Sequence, residues 1–103
     1  MLKEGYIANW KKYPKNEIKI RVARPHLLSP SEGLLWLYKE GLFDWERYED
    51  EFIKQMANPE CLVELYNINE LSCYVDVRLM CYEKDPNRCH RGILIDLIHT
   101  LPI

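Results

Sequence analysis

The sequence predicts an α/β domain built on a small, mostly parallel sheet, and three observations carry that prediction. Between Ile18 and Arg24, apolar Ile18, Ile20 and Val22 alternate with Lys19, Arg21 and Ala23, the period of a strand with one buried face. Tyr74 to Tyr82 carries apolar residues on both faces near its end, as an internal strand does. Helical patterns separate these two strands, and a strand-to-strand connection through helices favours a parallel, right-handed crossover.

The elements follow in order. Gly5 to Asn9 reads as a short first strand, and the Ile18 to Arg24 segment as a better second one. Between them, Trp10-Lys11-Lys12-Tyr13-Pro14-Lys15-Asn16 is a basic, aromatic loop. Ser29-Pro30-Ser31-Glu32 reads as a helix start, with Ser29 as N-cap, Pro30 in the first helical position and Glu32 closing a capping box. That helix would bury Leu34, Leu35, Leu37 and Tyr38 and stop near Gly41. Asp44 caps a second helix in which Trp45, Tyr48, Phe52, Ile53 and Met56 recur at helical spacing. Asn58-Pro59 starts a third, shorter helix through Leu62, Leu65 and Tyr66, with Asn67 to Ser72 as a loop. After the third strand, a last helix spans roughly Cys89 to Leu101, and Pro102 ends it.

At 103 residues the chain suits one domain, 1–103, large enough to bury a core without staples. Apolar residues make up 48% and charged residues 29%, as in ordinary globular proteins. No apolar stretch approaches the roughly 20 residues of a membrane span. Lys3 and Glu4 come early and no apolar h-region follows them, so no signal peptide is visible and a cytoplasmic protein with reduced thiols is expected. Cys61, Cys73, Cys81 and Cys89 form no C-x-x-C pair, which argues against a disulfide framework. Charge is uneven: residues 1–24 hold seven basic and two acidic side chains, residues 32–51 seven acidic and two basic. Two solvated faces are the simpler reading; mutual attraction or a polyanion-facing surface is the other.

The chemistry concentrates in Cys81-Tyr82-Glu83-Lys84-Asp85-Pro86-Asn87-Arg88-Cys89-His90-Arg91. This stretch runs from a strand end to a helix start, where backbone N–H groups and the helix dipole can hold an anion. Cys89, beside Arg88, His90 and Arg91, reads either as a thiol of lowered pKa or as a buried capping cysteine. Cys81 stands where ligands gather in open α/β sheets, or else simply faces inward. His90 would act as acid or base, or fix the turn through a backbone carbonyl. Arg91 wants a fixed anion, which Asp85, Asp96 or a ligand phosphate would supply.

Several sharper motifs do not fit. Six residues separate Cys81 from Arg88, one more than a thiol phosphatase loop has, and glycine is missing there. Adjacent Cys89 and His90 promise poor chelating geometry, so Cys81, Cys89 and His90 are expected to hold no metal. Gly5, Gly33, Gly41 and Gly92 form neither phosphate-binding fingerprint, and no cofactor is expected. The basic aromatic loop reads as a solvated hairpin tip or as a platform for single-stranded nucleic acid.

Leu28-Ser29-Pro30-Ser31, Trp45-Glu46-Arg47-Tyr48, Cys81-Tyr82-Glu83 and Cys89-His90-Arg91 together resemble domain-of-unknown-function family 488. Ala8-Asn9 and Val22-Ala23-Arg24 look like family features too, so the resemblance covers nearly the whole chain. It implies a small Rossmann-like α/β fold, with a three-stranded or slightly larger sheet and about four helices; it implies no particular activity. The leading expectation is a pocket at the carboxyl ends of the strands. Cys89, His90 and Glu83 would be its catalytic residues, and Asn9, Arg24, Cys81, Arg88 and Arg91 would bind the ligand. That ligand would be a small anion, a nucleotide or nucleotide derivative, subject to hydrolytic or transfer chemistry. Two rivals are a non-catalytic binder sequestering a nucleotide signal and a nucleic-acid adaptor using Trp10, Lys11, Lys12 and Tyr13.

Overall fold

A computed structural model describes residues 1–85 and 88–102, so Pro86 and Asn87 of the Cys81–Arg91 stretch lie outside the described residues. Strands β1 (Leu2–Tyr6), β2 (Ile18–Arg21) and β3 (Val77–Cys81) form one parallel sheet in the order β1-β3-β2. Gly5 pairs with Met80 and Tyr6 with Cys81 on one side of β3; Arg21 pairs with Met80 on the other. Helices α1 (Glu32–Lys39), α2 (Trp45–Met56) and α3 (Pro59–Ser72) connect β2 to β3, and α4 (His90–His99) follows β3. The parallel α/β class expected from the helical crossover is therefore the one observed. Among the described residues no helix is long and apolar enough to cross a membrane.

β3 is central because its residues bury both ways: Val77, Leu79 and Met80 are fully buried. Phe52, Leu65, Ile68, Leu94 and Ile98 close the main core around Val22 and Leu79. Gly5 is required by close approach, since a Cβ there would lie 2.5 Å from Met80 Sδ and 2.7 Å from Arg78 Cδ.

Several boundaries differ from the sequence reading, and β2 ends at Arg21 rather than Arg24. The first strand is Leu2–Tyr6, not Gly5–Asn9, and Ile7–Lys12 forms a 3-10 helix. The strand is registered from its start: Val77 N–H donates to the Met1 carbonyl, and the terminal amine pairs with Asp76 at 3.4 Å. Side-chain alternation does not record such backbone ties. Because β1 and β2 both run parallel to β3 on opposite sides of it, the loop between them is no hairpin tip. Its Tyr13 accepts from Tyr6 N–H at 2.9 Å, and Arg78 lies 4.1 Å over the ring.

The third helix continues through Ser72, where a loop was expected. Asn67 and Glu70 are exposed, while Ile68 and Leu71 extend the stripe begun by Cys61 and Leu65; packing outweighs the weak helix propensity of asparagine. The third strand is shorter than Tyr74–Tyr82, because Tyr74 and Val75 N–H groups both bond back to the Leu71 carbonyl.

The N-cap of α1 is Ser31, two residues after the expected Ser29. Ser31 Oγ accepts from Leu34 N–H at 3.2 Å and from Gln55 Nε2 at 2.7 Å, and Ser31 N–H donates to Gln55 Oε1. Ser29 is used up earlier, donating to the His26 carbonyl at 2.7 Å. Ser31 thus starts α1 and clasps it to the end of α2. We expect Ser31→Ala to lower unfolding free energy by about 1 kcal/mol, read from denaturant melts, because the cap is lost.

Under the sheet edge, buried Glu17 receives Arg78 Nε at 2.5 Å and Nη2 at 3.1 Å. The Arg78 hydrogen bond holds the Glu17 carboxyl below its usual range despite its burial. Stability from a depressed carboxylate is complete above its unfolded value of about 4.3 and is lost as pH falls through the folded value. Glu17→Gln should therefore cost more stability near pH 7 than near pH 3; equal costs would contradict this ionic role.

Candidate functional site

The carboxyl ends of β2 and β3, the start of α4, and one face of α1 and α2 enclose a pocket of about 220 Å³. Cys81 is the last residue of β3, Cys89 the N-cap of α4 and His90 its first residue. All three are buried and line the pocket. Tyr38, Tyr48 and Leu35 give it aromatic and apolar walls; Arg24, Lys39 and Arg88 are its cations.

His90 Nε2 sits 2.6 Å from the Val22 carbonyl oxygen. A carbonyl accepts only, so Nε2 carries a proton and donates it there. The Phe52 ring meets the imidazole edge-on, with centroids 5.6 Å apart. Nδ1 then faces both sulfurs, 3.7 Å from Cys89 Sγ and 3.9 Å from Cys81 Sγ. All three atoms lie within 4.8 Å of one another.

Although adjacent in sequence, Cys89 and His90 bring Sγ and Nδ1 to within 3.7 Å of each other. Cys89 has an extended backbone (φ −137°, ψ 147°), whereas His90 begins the helix. A change of backbone region between them brings both side chains to one point. The Cys89 side chain makes no capping hydrogen bond, which leaves its sulfur to the cluster.

A hydrogen bond from Cys89, aided by His90, drives Cys81 well down in spite of its burial. The same bond, with burial, drives Cys89 up. Burial, reinforced by both sulfurs, keeps the Tyr48 phenol protonated. Such a cluster can pass a proton between thiol and imidazole to arm a nucleophile, or give two sulfurs and a nitrogen to a metal ion.

The structure brings most of the sequence-predicted residues together, but not all. Cys81, Cys89, His90, Glu83, Arg24 and Arg88 line the pocket. Glu83 is at the rim, paired with Lys39 at 2.9 Å, which raises the lysine. Arg24 is half exposed, with Glu32 3.8 Å away, and Arg88 lies over the Trp45 ring. Asn9 belongs to the 3-10 helix after β1 and is not among the lining residues.

Arg91 does not line the pocket either, and the carboxylate it pairs with comes from Glu4. Its side chain is 0% exposed; Nε donates to Glu4 Oε2 at 3.0 Å, Nη1 to the Glu83 carbonyl and Nη2 to the Lys84 carbonyl at 3.0 Å. Glu4 lies 87 positions away, beyond the reach of any local pattern. Sequence reasoning also missed Tyr38 and Lys39 in the pocket wall. Tyr48 was assigned to a buried helix face, and the Trp45-x-x-Tyr48 spacing was the signal for it.

Fold and site together define a parallel α/β domain with a cysteine–histidine pocket at the carboxyl ends of its strands. The family model DUF488-N3a, described as the active DUF488-N3 subclade, matches residues 9–101, and the chain belongs to that family. No curated protein and no solved structure matches it.

Lysine keeps the charge of Arg91 but cannot reach three acceptors at once. Arg91→Lys should lower stability by roughly 1–3 kcal/mol in thermal or denaturant unfolding.

Proposed function

We propose that this DUF488 protein is an enzyme that binds a small anion, a nucleotide or nucleotide derivative, and acts on it by hydrolytic or transfer chemistry. One observation carries the reading: the pocket that buries the Cys81–Cys89–His90 cluster is also the one fringed by Arg24, Lys39 and Arg88. Reactive groups of perturbed acidity in an apolar cleft with convergent cations are how active sites are built. The membership of an active subclade supports the same reading.

The volume of about 220 Å³ is below the roughly 300–1,000 Å³ of drug-sized ligand sites. One end of a mononucleotide would be enclosed, and the remainder would lie along the cationic rim. Arg24, half exposed and 3.8 Å from the exposed Glu32 carboxylate, is the side chain best placed to grip a phosphate. Glu83 and Lys39, paired at the rim, would meet ribose hydroxyls. The Tyr38 and Tyr48 rings would pack on a base.

Calorimetric titration of mononucleotides against their nucleosides tests this. Nucleotides should bind and nucleosides fail, and Arg24→Ala should weaken binding by roughly 1.5–3 kcal/mol with the fold intact. No binding of any mononucleotide at millimolar concentration, or no effect of Arg24→Ala, would refute the reading. Conversion of the bound nucleotide by wild type but not by Cys81→Ser distinguishes an enzyme from a binder that only sequesters it.

A further inference from the structure

We infer that Cys81, Cys89 and His90 bind one zinc ion, which leaves a fourth coordination position for a water or ligand atom in the pocket. The inference rests on the pocket being the reactive site, and adds the cofactor class.

The first support is the distances. Zinc bonds of about 2.3 Å to sulfur and 2.1 Å to nitrogen, opened at the tetrahedral angle, put the two atoms about 3.6 Å apart. Here Nδ1 stands 3.7 and 3.9 Å from the two sulfurs. Both are within a few tenths of an ångström of that value, and the three ligand atoms lie within 4.8 Å of one another.

The second is independent of those distances. Histidines that ligate metals donate their other ring N–H to a carboxylate or backbone carbonyl, which fixes the tautomer and aims the free nitrogen. His90 does this through Nε2 and Val22, and the nitrogen left over is the one facing the sulfurs.

Charge is the third. Two thiolates and Zn²⁺ sum to zero, so the ion would enter this buried site without leaving net charge there, and the thiol protons would pass to solvent as it binds. Two thiolates with an imidazole suit zinc, whereas magnesium and calcium want oxygen ligands. Among the described residues no further His, Cys, Asp or Glu joins the cluster. Three protein ligands beside an open cleft make the pattern of a catalytic rather than a structural zinc site.

The test uses untagged protein stripped of metal with a chelator, then titrated with Co²⁺ and with Zn²⁺ against a colorimetric zinc indicator. One equivalent should bind. The cobalt form should show the intense visible bands of a tetrahedral site and a sulfur-to-metal charge-transfer band. Cys81→Ser and Cys89→Ser should lose that spectrum, with folding checked by circular dichroism, while Cys73→Ser keeps it. Should a variant not fold, wild type answers alone: Zn²⁺ should protect Cys81 and Cys89 from alkylation, mapped by peptide mass spectrometry, and leave exposed Cys73 reactive. No uptake, a cobalt spectrum without thiolate bands, or alkylation of Cys81 and Cys89 unchanged by zinc overturns the inference. Nucleotide binding in protein that takes no metal would remove the zinc and leave the pocket reading; metal uptake without anion binding would do the reverse.

Discussion

The buried guanidinium of Arg91 is the interaction on which the rest of the site depends. Its three donors reach β1 through Glu4 and the segment after β3 through two carbonyls, while its own backbone is the second residue of α4. One side chain thereby fixes the start of a helix against two strands. The charge has no contact with water, but Glu4 is 42% exposed, so the pair keeps one solvated end. That arrangement avoids the full desolvation cost of an ion pair enclosed on both sides. Cys89 and His90 immediately precede this anchor and are placed by it.

The site is a product of geometry at a junction. A strand delivers Cys81, an extended N-cap residue delivers Cys89, and the first helical residue delivers His90. Cys81 and Cys89 lie outside the main core of Val77, Leu79 and Leu94, whereas His90 meets that core through Phe52. The two cysteines form with Ala23 and Ile7 a second, smaller buried cluster at the end of the sheet. The large core holds the layers together, and the small one, with Tyr48 from the large core, shapes the pocket.

The fold class, the central strand, the second helix with its Asp44 cap and the Cys81–His90 convergence were legible because each is written in local pattern. Asp44 Oδ1 accepts from Arg47 N–H at 2.8 Å, as its position before the apolar stripe implies. What was not legible depends on partners distant in sequence. Ser29 and Ser31 look equivalent as caps until Gln55, 24 residues on, selects Ser31. Asn67, Asn69 and Glu70 read as a loop until the core claims Ile68 and Leu71. The role of Arg91 was ambiguous between strut and ligand grip for the same reason: its carboxylate partner comes from the other end of the chain.

Val22 links the sheet ladder to the imidazole. Its N–H extends the pairing of β2 by donating to the Met80 carbonyl at 2.9 Å, and its own carbonyl receives His90. β2 is a four-residue strand at the margin of the sheet, the kind of element that opens locally long before the whole molecule unfolds. Each such opening frees the ring to swap its tautomer or rotate, so the lifetime of the His90 arrangement follows fraying at a sheet margin. The exchange rate of the Val22 amide with deuterated solvent is thus a clock for how long the imidazole stays aimed at the two sulfurs.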